Sequence, residues 1–380
     1  MSFREATPAQ ARVDLSAIRH NVGLLKERAD GAELMGAVKA DAYGHGLVAT
    51  SMAVVQGGAS RLGTAYIREG LALRAAGVTV PILSWILTPG EPLDEALEAG
   101  IELSASDEGR LVEIAAAARR TGKTAMVHLE ADTGMSRGGA PLAAWPGLLR
   151  EAARLQAEGA VEVVGLWSHL ACADLPGHTS IDLQIDAYES ALKLAEQAGV
   201  AGSQVIRHLA NSAAILTLPR THYDLVRPGI AMYGLSPIPE QGDFGLRPAM
   251  TLAARIALAK RVPEGVGVSY GHLYTTTEET TLGLVPLGYA DGIFRSATGR
   301  VEVMAGGRRL PVVGRICMDQ FMIDVGGAPL ADGDEVVLFG PGTGGEPTCQ
   351  EWADILGTIT HEIVTRLGAR VPRVYQGVEA

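Results

Sequence analysis

Cysteine, long apolar runs and basic clusters are all scarce in this chain, and each scarcity excludes a class of protein. Three cysteines occur in 380 residues, and the set is odd and widely spaced (Cys172, Cys317 and Cys349), which argues against a disulfide framework or a thiolate metal site. No apolar run approaches the roughly 20 residues that span a bilayer. Acidic residues outnumber basic ones by 43 to 32 without a basic stripe, so we expect neither a nucleic-acid partner nor a membrane partner.

The start of the chain lacks a signal for export. The first 12 residues contain no apolar stretch of the kind that precedes a signal-peptide cleavage site. We therefore expect the protein to reside in the cytoplasm. The net charge of -11 mainly favours solubility, so an anionic ligand has to be bound by a few local groups.

Short apolar segments with high β propensity alternate with helical segments between about residue 11 and residue 235. This alternation is typical of βαβ units in a parallel sheet. Helical spacing of apolar residues is clearest at 14–27, 108–120 and 181–196. Eight strands with intervening helices predict an α/β fold with an N-terminal (β/α)8 TIM-like barrel. The predicted strands lie near residues 34–38, 61–65, 80–84, 101–104, 125–130, 163–167, 205–209 and 224–226.

The character of the sequence changes after Gly234. Residues 236–247 are rich in proline and glycine, and the segments beyond them are rich in Val, Thr and Gly, with turn residues about every ten positions. This pattern predicts a C-terminal mostly-β domain, with boundaries at 1–246 and 247–380. Apolar residues at four-residue spacing predict a single helix over residues 351–367.

Four polar residues directly follow predicted barrel strands: Lys39, His169, Asn211 and Arg227. Chemistry in barrels takes place at the C-terminal strand ends, so these side chains are expected around one mouth. A lysine that is desolvated there has a lowered pKa, and its free amine can form a Schiff base. A lysine that merely extends its amine past the barrel rim to water fits the same spacing equally well.

A second segment, RPGIAMYG at 227–234, places a cation and a close-approach glycine, Gly229, after the last predicted strand. Loops after the seventh and eighth strands of barrels commonly bind phosphate. Ser212, in HLANS at 208–212, can add a hydroxyl from the preceding strand. By itself, however, the segment is better explained by an ordinary loop glycine and a capping serine.

Together with three later motifs, these segments resemble alanine racemases. The barrel motifs are AVKADAYGHG at 37–46 and RPGIAMYG at 227–234, and the later ones are VSYGH at 268–272, GYADG at 288–292 and GRICMDQ at 314–320. The match follows the family's order from about Asp14 to Arg373. It implies a pyridoxal 5'-phosphate-dependent isomerase that interconverts L-alanine and D-alanine and provides D-alanine for bacterial peptidoglycan.

The resemblance also implies roles for individual residues. Lys39 would hold the cofactor and act as the base on the D-alanine face, while Tyr270 would be the base on the L-alanine face. His208 and Glu130 would support the site from behind, and no metal is expected. Substrate contacts are implied for Arg137, Tyr289, Met318 and Asp319. Cofactor contacts are implied for Lys39, Tyr43, Trp85, Arg137, His169, Asn211, Ser212, Arg227, Gly229, Ile230 and His361.

In this family the catalytic tyrosine comes from a second subunit, so the resemblance implies a homodimer with shared active sites. Tyr270, Tyr289, Met318 and Asp319 would all enter the partner's site. The unperturbed pKa of a phenol is near 10, and the positive charge of the His169 and Arg227 network would lower it. Arg227 would donate a hydrogen bond to the pyridine nitrogen without protonating it, which makes the ring a weaker electron sink.

Two positions depart from the family pattern. Many members carry a carbamate-bearing lysine where this chain has Glu130, which predicts that the Glu130 carboxylate pairs directly with Arg137. The alternative is a strand-end glutamate that faces solvent. His361 replaces a tyrosine that reaches the phosphate, and its shorter side chain makes a racemase of broader specificity, for example one that accepts serine, the alternative function.

Other functions on related architectures stay open. An amino-acid decarboxylase would release carbon dioxide, whereas a racemase only abolishes optical rotation. A non-catalytic pyridoxal-phosphate carrier would resemble the barrel alone, and the roughly 130 residues after Arg247 weigh against it. A barrel that binds phosphate sugars without a Schiff base would show no visible absorption.

Overall fold

The computed structural model describes residues 7–202 and 204–378, which form two compact units. Among the described residues, 18–42 and 47–246 form one unit, which we call the barrel unit. Residues 7–17, 43–46 and 247–378 form the other, which we call the sheet unit. The sheet unit therefore contains the first strand of the chain, β1 (Ala9–Asp14), as well as the C-terminal third.

Eight parallel strands close into a ring in the barrel unit, which confirms the predicted (β/α)8 barrel. Each strand pairs with the next, β10 pairs with β2, and a two-residue strand β7 (Ala140–Pro141) extends β6 at one side. The barrel strands are β2 (Glu33–Ala37), β3 (Arg61–Thr64), β4 (Ile82–Ser84), β5 (Ile101–Ala105), β6 (Ala125–Asp132), β8 (Val161–Trp167), β9 (Ile206–His208) and β10 (Leu225–Val226).

Helices follow most of the barrel strands and bury their apolar faces. In α6 (Glu108–Thr121), Asp107 caps the first turn by accepting a hydrogen bond from the amide of Arg110, and Gly122 ends the helix in a left-handed conformation. The other helices are α1 (Leu15–Arg28), α3 (Leu47–Gln56), α4 (Ile67–Ala75), α5 (Leu93–Glu98), α7 (Trp145–Ala157), α8 (Ser180–Gln197) and α9 (Ser212–Thr217). Across the described residues, no helix is both long enough and apolar enough to cross a membrane.

The sheet unit is built on one nine-stranded sheet, which confirms the predicted mostly-β C-terminal domain. Its order is β12-β15-β18-β17-β16-β19-β11-β1-β20. The small strands β13 (Gly267–Val268) and β14 (Tyr274–Thr275) form a separate hairpin. The remaining strands are β11 (Met250–Arg255), β12 (Leu258–Val262), β15 (Thr280–Val285), β16 (Glu302–Ala305), β17 (Arg308–Val313), β18 (Phe321–Gly326), β19 (Glu335–Phe339) and β20 (Arg373–Gln376).

The N-terminal strand differs from the predicted assignment of residues 1–246 to one domain. Strand β1 pairs antiparallel with β11 and parallel with β20. It thereby fills a gap in the sheet that would otherwise leave two strand edges without backbone partners. A single domain boundary in the sequence cannot assign the N-terminal strand to the same unit as the C-terminal residues.

The prediction of a single helix over residues 351–367 is wrong. The structure has two helices there, α10 (Cys349–Leu356) and α11 (Thr360–Thr365). Gly357 adopts a left-handed conformation with φ of 71°, and the amide of Thr358 donates to the carbonyl oxygen of Ala353 at 3.0 Å. This glycine-based C-cap ends α10 although the apolar spacing continues.

Trp145 offers a test of the packing between α7 and α8. Its side chain is 1% exposed, and its indole nitrogen donates to the carbonyl oxygen of Ala191 at 3.0 Å. We predict that Trp145→Ala lowers the free energy of unfolding by about 3–5 kcal/mol, because it leaves a cavity and removes the hydrogen bond to Ala191. Denaturant unfolding measures the loss. Leu183→Ala, at a side chain that is 67% exposed on α8, is the control and should change the value by less than about 0.5 kcal/mol.

Candidate active site

Lys39 lies directly beyond β2, at the C-terminal end of the barrel strands, as predicted. Burial lowers the pKa of its amine, the charge of Arg137 lowers it further, and Glu69 opposes the shift. The amine lies 5.8 Å from the centroid of the Trp85 ring. That ring packs on Gly63, where a Cβ atom would lie only 2.3 Å from it. The site thus contains an amine with a lowered pKa beside an aromatic wall.

The turn α2 (Lys39–Tyr43) that begins at this lysine is left-handed. Residues 40–43 have φ angles between 51° and 55° although none of them is glycine, a conformation that costs about 1–2 kcal/mol per residue. Two carboxylates stabilise the turn. Glu69 accepts from the amide of Ala40 at 2.7 Å, and Asp41 accepts from the amide of Leu47 at 2.8 Å. The backbone beyond Lys39 is therefore held in one conformation.

Arg227 follows β10, and its guanidinium is buried, with the residue 7% exposed. Its Nη1 donates to Nδ1 of His208 at 3.0 Å, and its Nη2 donates to the carbonyl oxygen of Ser168 at 2.7 Å. Nη2 also lies 3.2 Å from Nδ1 of His169. Burial lowers the pKa of Arg227 to about 10, so the group is still protonated at neutral pH.

His169 and His208 are both neutral, and their protons are assigned by geometry. Burial lowers the pKa of each ring well below its usual value, and the charge of Arg227 lowers it further. Because the Arg227 guanidinium can only donate, each ring has to accept at Nδ1. The single ring proton of each histidine therefore lies on Nε2, and His169 can donate from that atom.

The loop after β10 gathers hydrogen-bond donors around a hydroxyl. Ser212 Oγ accepts from the amide of Gly229 at 2.8 Å and from that of Ala231 at 3.3 Å. The cap of α9 is Asn211, whose side chain accepts from the amide of Ala214 at 3.1 Å, so Ser212 is not the capping residue. The buried Ile230 lies between the two amides in sequence. Because Ser212 Oγ accepts from both amides, its own hydroxyl proton can be donated to an anion such as a phosphate.

Electrostatic interactions show which of the predicted side chains lie together in the barrel unit. The charges of Arg227, Arg137 and Lys39 all act on His169, and those of Arg227 and Arg137 also act on Glu130. These groups therefore form one cluster at the barrel mouth. The part of the chain that the structure describes contains no group of three or more histidine, cysteine and carboxylate side chains that could hold a metal ion.

Glu130 does not form the predicted direct pair with Arg137. Arg137 is exposed, and it acts on Glu130 only as a nearby charge. Burial raises the pKa of Glu130 to about 7, although Arg227 and Arg137 oppose the shift. Its carboxylate lies against Gly138, where a Cβ atom would be 3.1 Å from both oxygens. The alternative of a glutamate that faces open solvent does not describe this partly buried side chain either.

The three later motifs come together in the sheet unit. Ser269 Oγ donates to the carbonyl oxygen of Arg315 at 2.6 Å, and the amide of Tyr289 donates to the carbonyl oxygen of Cys317 at 3.1 Å. At Gly288 a Cβ atom would lie 2.2 Å from the carbonyl oxygen of Met318, so only glycine allows this approach. The backbone thus holds Tyr270, Tyr289 and Met318 on neighbouring loops.

These loops present large side chains to solvent. The exposed fractions are 70% for Tyr270, 39% for Tyr289 and 53% for Met318. Asp319 is paired with Arg370 at 2.8 Å. Tyrosine and methionine side chains clustered on a surface are typical of an interface.

Tyr43 and His361 are neighbours in the sheet unit. Their ring centroids are 6.0 Å apart, and burial raises the pKa of Tyr43 to about 12. The phenol is therefore uncharged at neutral pH and can donate to an anion. The imidazole of His361 therefore lies beside Tyr43, for which the family resemblance implies a cofactor contact.

Three residues of this site were not predicted from the sequence: Glu69, Trp167 and Ser168. Glu69 accepts from two amides at the start of α4, and a glutamate early in a helix after a strand is a recognisable capping signal. Trp167, whose ring lies 4.9 Å from the Arg227 guanidinium, and Ser168, which acts through its carbonyl, give no comparable signal.

Comparison with known proteins places this geometry in a family. The family models described as "Alanine racemase, N-terminal domain" and "Alanine racemase, C-terminal domain" match residues 13–237 and 249–375. The chain belongs to the alanine racemase family. It is 58% identical to an alanine racemase of Frankia casuarinae over 368 residues, which is 96% of this chain and 95% of the relative.

Solved alanine racemase structures share the whole fold. The enzyme from the D-cycloserine producer Streptomyces lavendulae is 52% identical, with a TM-score of 0.96 over 99% of both chains. The alanine racemase from Bartonella henselae is 28% identical, with a TM-score of 0.86 over 97% of this chain and 100% of that one. The latter structure contains covalently bound pyridoxal phosphate.

The raised pKa of Glu130 predicts a pH dependence of stability in this alanine racemase family member. The folded protein retains the Glu130 proton up to about pH 7, whereas the usual value is 4.5. The folded state is thus favoured below pH 4.5, and this contribution of up to about 3 kcal/mol is lost as the pH rises through 7. Denaturant unfolding between pH 5 and pH 8 measures it.

In Glu130→Gln, this part of the pH dependence should be missing, because the amide does not titrate. The exposed Glu98→Gln is the matched control and should follow the wild-type curve. A difference between wild type and Glu130→Gln that stays constant from pH 5 to pH 8 would contradict the assignment.

Proposed function

We propose that this chain is an alanine racemase that uses pyridoxal 5'-phosphate to interconvert L-alanine and D-alanine. The observation that carries the proposal is the barrel-mouth cluster, in which the amine of Lys39, with its lowered pKa, shares a site with the buried Arg227 guanidinium. Relatives that match nearly the whole chain carry that name. Supply of D-alanine for bacterial peptidoglycan is part of this proposal, and cytoplasmic residence stays a prediction from the sequence.

The residues present fit this cofactor. Lys39 supplies an amine for its aldehyde, and Arg227 supplies a cationic donor for its ring nitrogen. Ser212, whose oxygen accepts from the amides of Gly229 and Ala231, would donate its hydroxyl proton to its phosphate. When bound, the cofactor provides an electrophilic aldehyde and a ring that disperses negative charge from the substrate Cα.

The side chains of the barrel unit have complementary tasks. The lowered pKa of Lys39 increases the fraction of free amine, which can take a proton from Cα on one face. Arg227 donates and retains its protons, so it limits how far the ring withdraws charge. His169 keeps a proton on Nε2, which it can donate to a phenolate oxygen. We assign the opposite face to Tyr270 and orientation of the substrate carboxylate to Arg137.

A second copy of the chain completes the site in this proposal. A catalytic phenol needs a shielded environment, and Tyr270 is 70% exposed in the described chain. Its neighbours Tyr289 and Met318 are exposed with it, and Asp319 lies on the same loop. We infer a homodimer in which these loops cover the barrel mouth of the partner, so that each site combines Lys39 of one copy with Tyr270 of the other.

Replacement of Lys39 tests the proposed function. We predict that Lys39→Ala has no absorption band that borohydride abolishes, and that its racemisation rate falls by at least about 10³-fold, because both the cofactor bond and one base are lost. The assay is incubation with L-alanine in deuterated water, followed by chiral analysis and mass measurement of the product. Lys123→Ala, at an exposed lysine, is the control and should match wild type. A yellow, active Lys39→Ala protein overturns the proposal.

Two further measurements on the wild-type protein decide between the decarboxylase and the racemase of broader specificity. Release of carbon dioxide from the amino acid would indicate a decarboxylase. A kcat/KM for L-serine near that for L-alanine would indicate the racemase of broader specificity, which the replacement of the family's tyrosine by His361 makes the second candidate.

A mixing experiment tests the shared site. Lys39→Ala and Tyr270→Phe are each expected to be inactive, but their heterodimer contains one site with both bases intact. After unfolding and refolding of an equal mixture, we predict recovery of about a quarter of wild-type activity, since half of the dimers are mixed and half of their sites are intact. Lys39→Ala mixed with the Lys39→Ala/Tyr270→Phe double variant is the control and should stay inactive. No recovery in the first mixture would place both bases in one chain.

A further inference from the structure

Buried polar side chains continue from Arg227 through the interior of the barrel. Nε2 of His208 lies 2.8 Å from Nδ1 of His128, and Nε2 of His128 lies 2.9 Å from a carboxylate oxygen of Glu102. Arg61 Nη1 donates to both oxygens of Glu102, at 2.8 and 3.0 Å. Both histidines are fully buried and Glu102 is 5% exposed. A barrel interior is normally filled with apolar side chains, so this column is unusual. Neither His128 nor Glu102 belongs to any of the motifs by which the sequence resembles alanine racemases.

The column runs from one end of the barrel to the other. His208 is the last residue of β9, His128 lies in the middle of β6, Glu102 is the second residue of β5 and Arg61 is the first residue of β3. It therefore connects the mouth that holds Arg227 with the opposite end of the parallel strands.

Only one arrangement of protons satisfies the whole column. Arg227 donates to Nδ1 of His208, so the proton of that ring lies on Nε2 and is donated to Nδ1 of His128. The proton of His128 then lies on its own Nε2 and is donated to Glu102, which also accepts from Arg61. Any other tautomer places two donors or two acceptors against each other among fully buried side chains, which is costly.

The backbone leaves room for this column at one glycine. A Cβ atom at Gly165, on β8, would lie 2.0 Å from Nδ1 of His128, the atom that accepts from His208. The His208 ring is also held from its face, because the Trp167 ring stacks on it with an interplanar angle of 2° and a centroid distance of 5.9 Å. The positions of both imidazoles are therefore defined on several sides.

Glu102 supplies a negative charge inside the barrel. Burial alone would raise the pKa of its carboxyl, but the hydrogen bond from His128 and the charge of Arg61 more than offset this, and the pKa is lowered. The carboxylate is therefore ionised and can orient every proton of the column. Arg61 also lies 3.4 Å from Glu33, which is 52% exposed at the barrel end.

We propose that His128 and Glu102 are positioning residues for Arg227, acting through His208. They hold the lone pair of His208 Nδ1 toward Arg227, so that the guanidinium occupies one position and presents its remaining N–H groups to the ring nitrogen of the bound cofactor. This inference rests on the proposed function only for that last contact, because the tautomer order is a property of the chain itself.

Loss of the column frees His208 to change tautomer. With a proton on Nδ1 the ring would face an N–H group of Arg227 with another N–H group, and the guanidinium would have to move. The expected consequence is a loss in kcat without a matching change in KM, because the substrate carboxylate contacts assigned to Arg137 and Met318 are not part of the column.

The test uses His128→Leu, which removes both ring nitrogens at similar volume, and Glu102→Gln, which removes the charge and replaces one accepting oxygen with an amide donor at nearly the same shape. The first readout is ¹⁵N NMR of the imidazole nitrogens in the full-length protein without cofactor. Wild type should show His208 protonated on Nε2 alone, and His128→Leu should show a mixture of both tautomers. The second readout is steady-state racemisation by the holoenzyme, in which we expect kcat to fall about 10–100-fold in His128→Leu while KM stays within about threefold.

Two controls separate positioning from a general loss of stability. Glu33→Gln removes the other carboxylate on Arg61 and should leave kcat and the His208 tautomer unchanged. Trp145→Phe weakens packing between α7 and α8, away from the column, and should lower stability without changing either readout. If His128→Leu does not fold, the His208 tautomer and the kinetic constants are measured on Glu102→Gln, in which the shape of the side chain is preserved.

Three outcomes overturn the proposal. They are an unchanged His208 tautomer in both variants, an unchanged kcat in both, and a loss of kcat that Trp145→Phe reproduces at equal stability. A wild-type protein that does not racemise alanine would refute the proposed function, while the NMR measurement would still decide whether His128 and Glu102 orient His208.

Discussion

The buried guanidinium of Arg227 is the constraint on which the rest of the site depends. An unpaired buried charge destabilises a fold by several kcal/mol, so every N–H group of this side chain that faces protein requires an acceptor. The acceptors come from Ser168, His169, His208 and Leu209, which lie at or just beyond the ends of β8 and β9. The hydrogen bonds of one cation therefore fix the relative positions of the ends of β8, β9 and β10. The amides that donate to Ser212 lie in the loop that follows β10.

The left-handed turn at Lys39 is the second place where function opposes local preference. Four residues with side chains adopt a conformation that glycine would adopt more easily, and the acceptors Glu69 and Asp41 stabilise them there. Local strain of this kind persists only where the surroundings over-determine the conformation, and such places cluster at active sites. The strain lies immediately beyond the amine, so it constrains the direction in which the lysine leaves its strand.

The sequence predicted what depends on local patterns and missed what depends on distant partners. All eight barrel strands were placed correctly because buried parallel strands are short apolar runs between turn residues, and the mouth position of Lys39, His169, Asn211 and Arg227 followed from them. The prediction that Glu130 pairs directly with Arg137 was wrong, because spacing in the sequence does not encode the direction of the loop after β6. The helix break at Gly357 was missed because apolar spacing continues across it. His128 and Glu102 gave no signal, since a polar residue within an apolar run does not show whether it points into the barrel.

The pairing of β1 with β20 has a consequence for biosynthesis. Ala11 lies opposite Arg373 in this pairing, so the chain between these two residues is translated after the first partner and before the second. At about 5–20 residues per second, β1 waits for roughly 20 to 70 s before its parallel neighbour exists. The barrel strands can assemble during that interval, whereas the nine-stranded sheet is completed only once β20 is available. Until then one edge of β1 has no backbone partner, even after β11 has paired with the other edge, and a chaperone that binds extended segments would find its target at that edge.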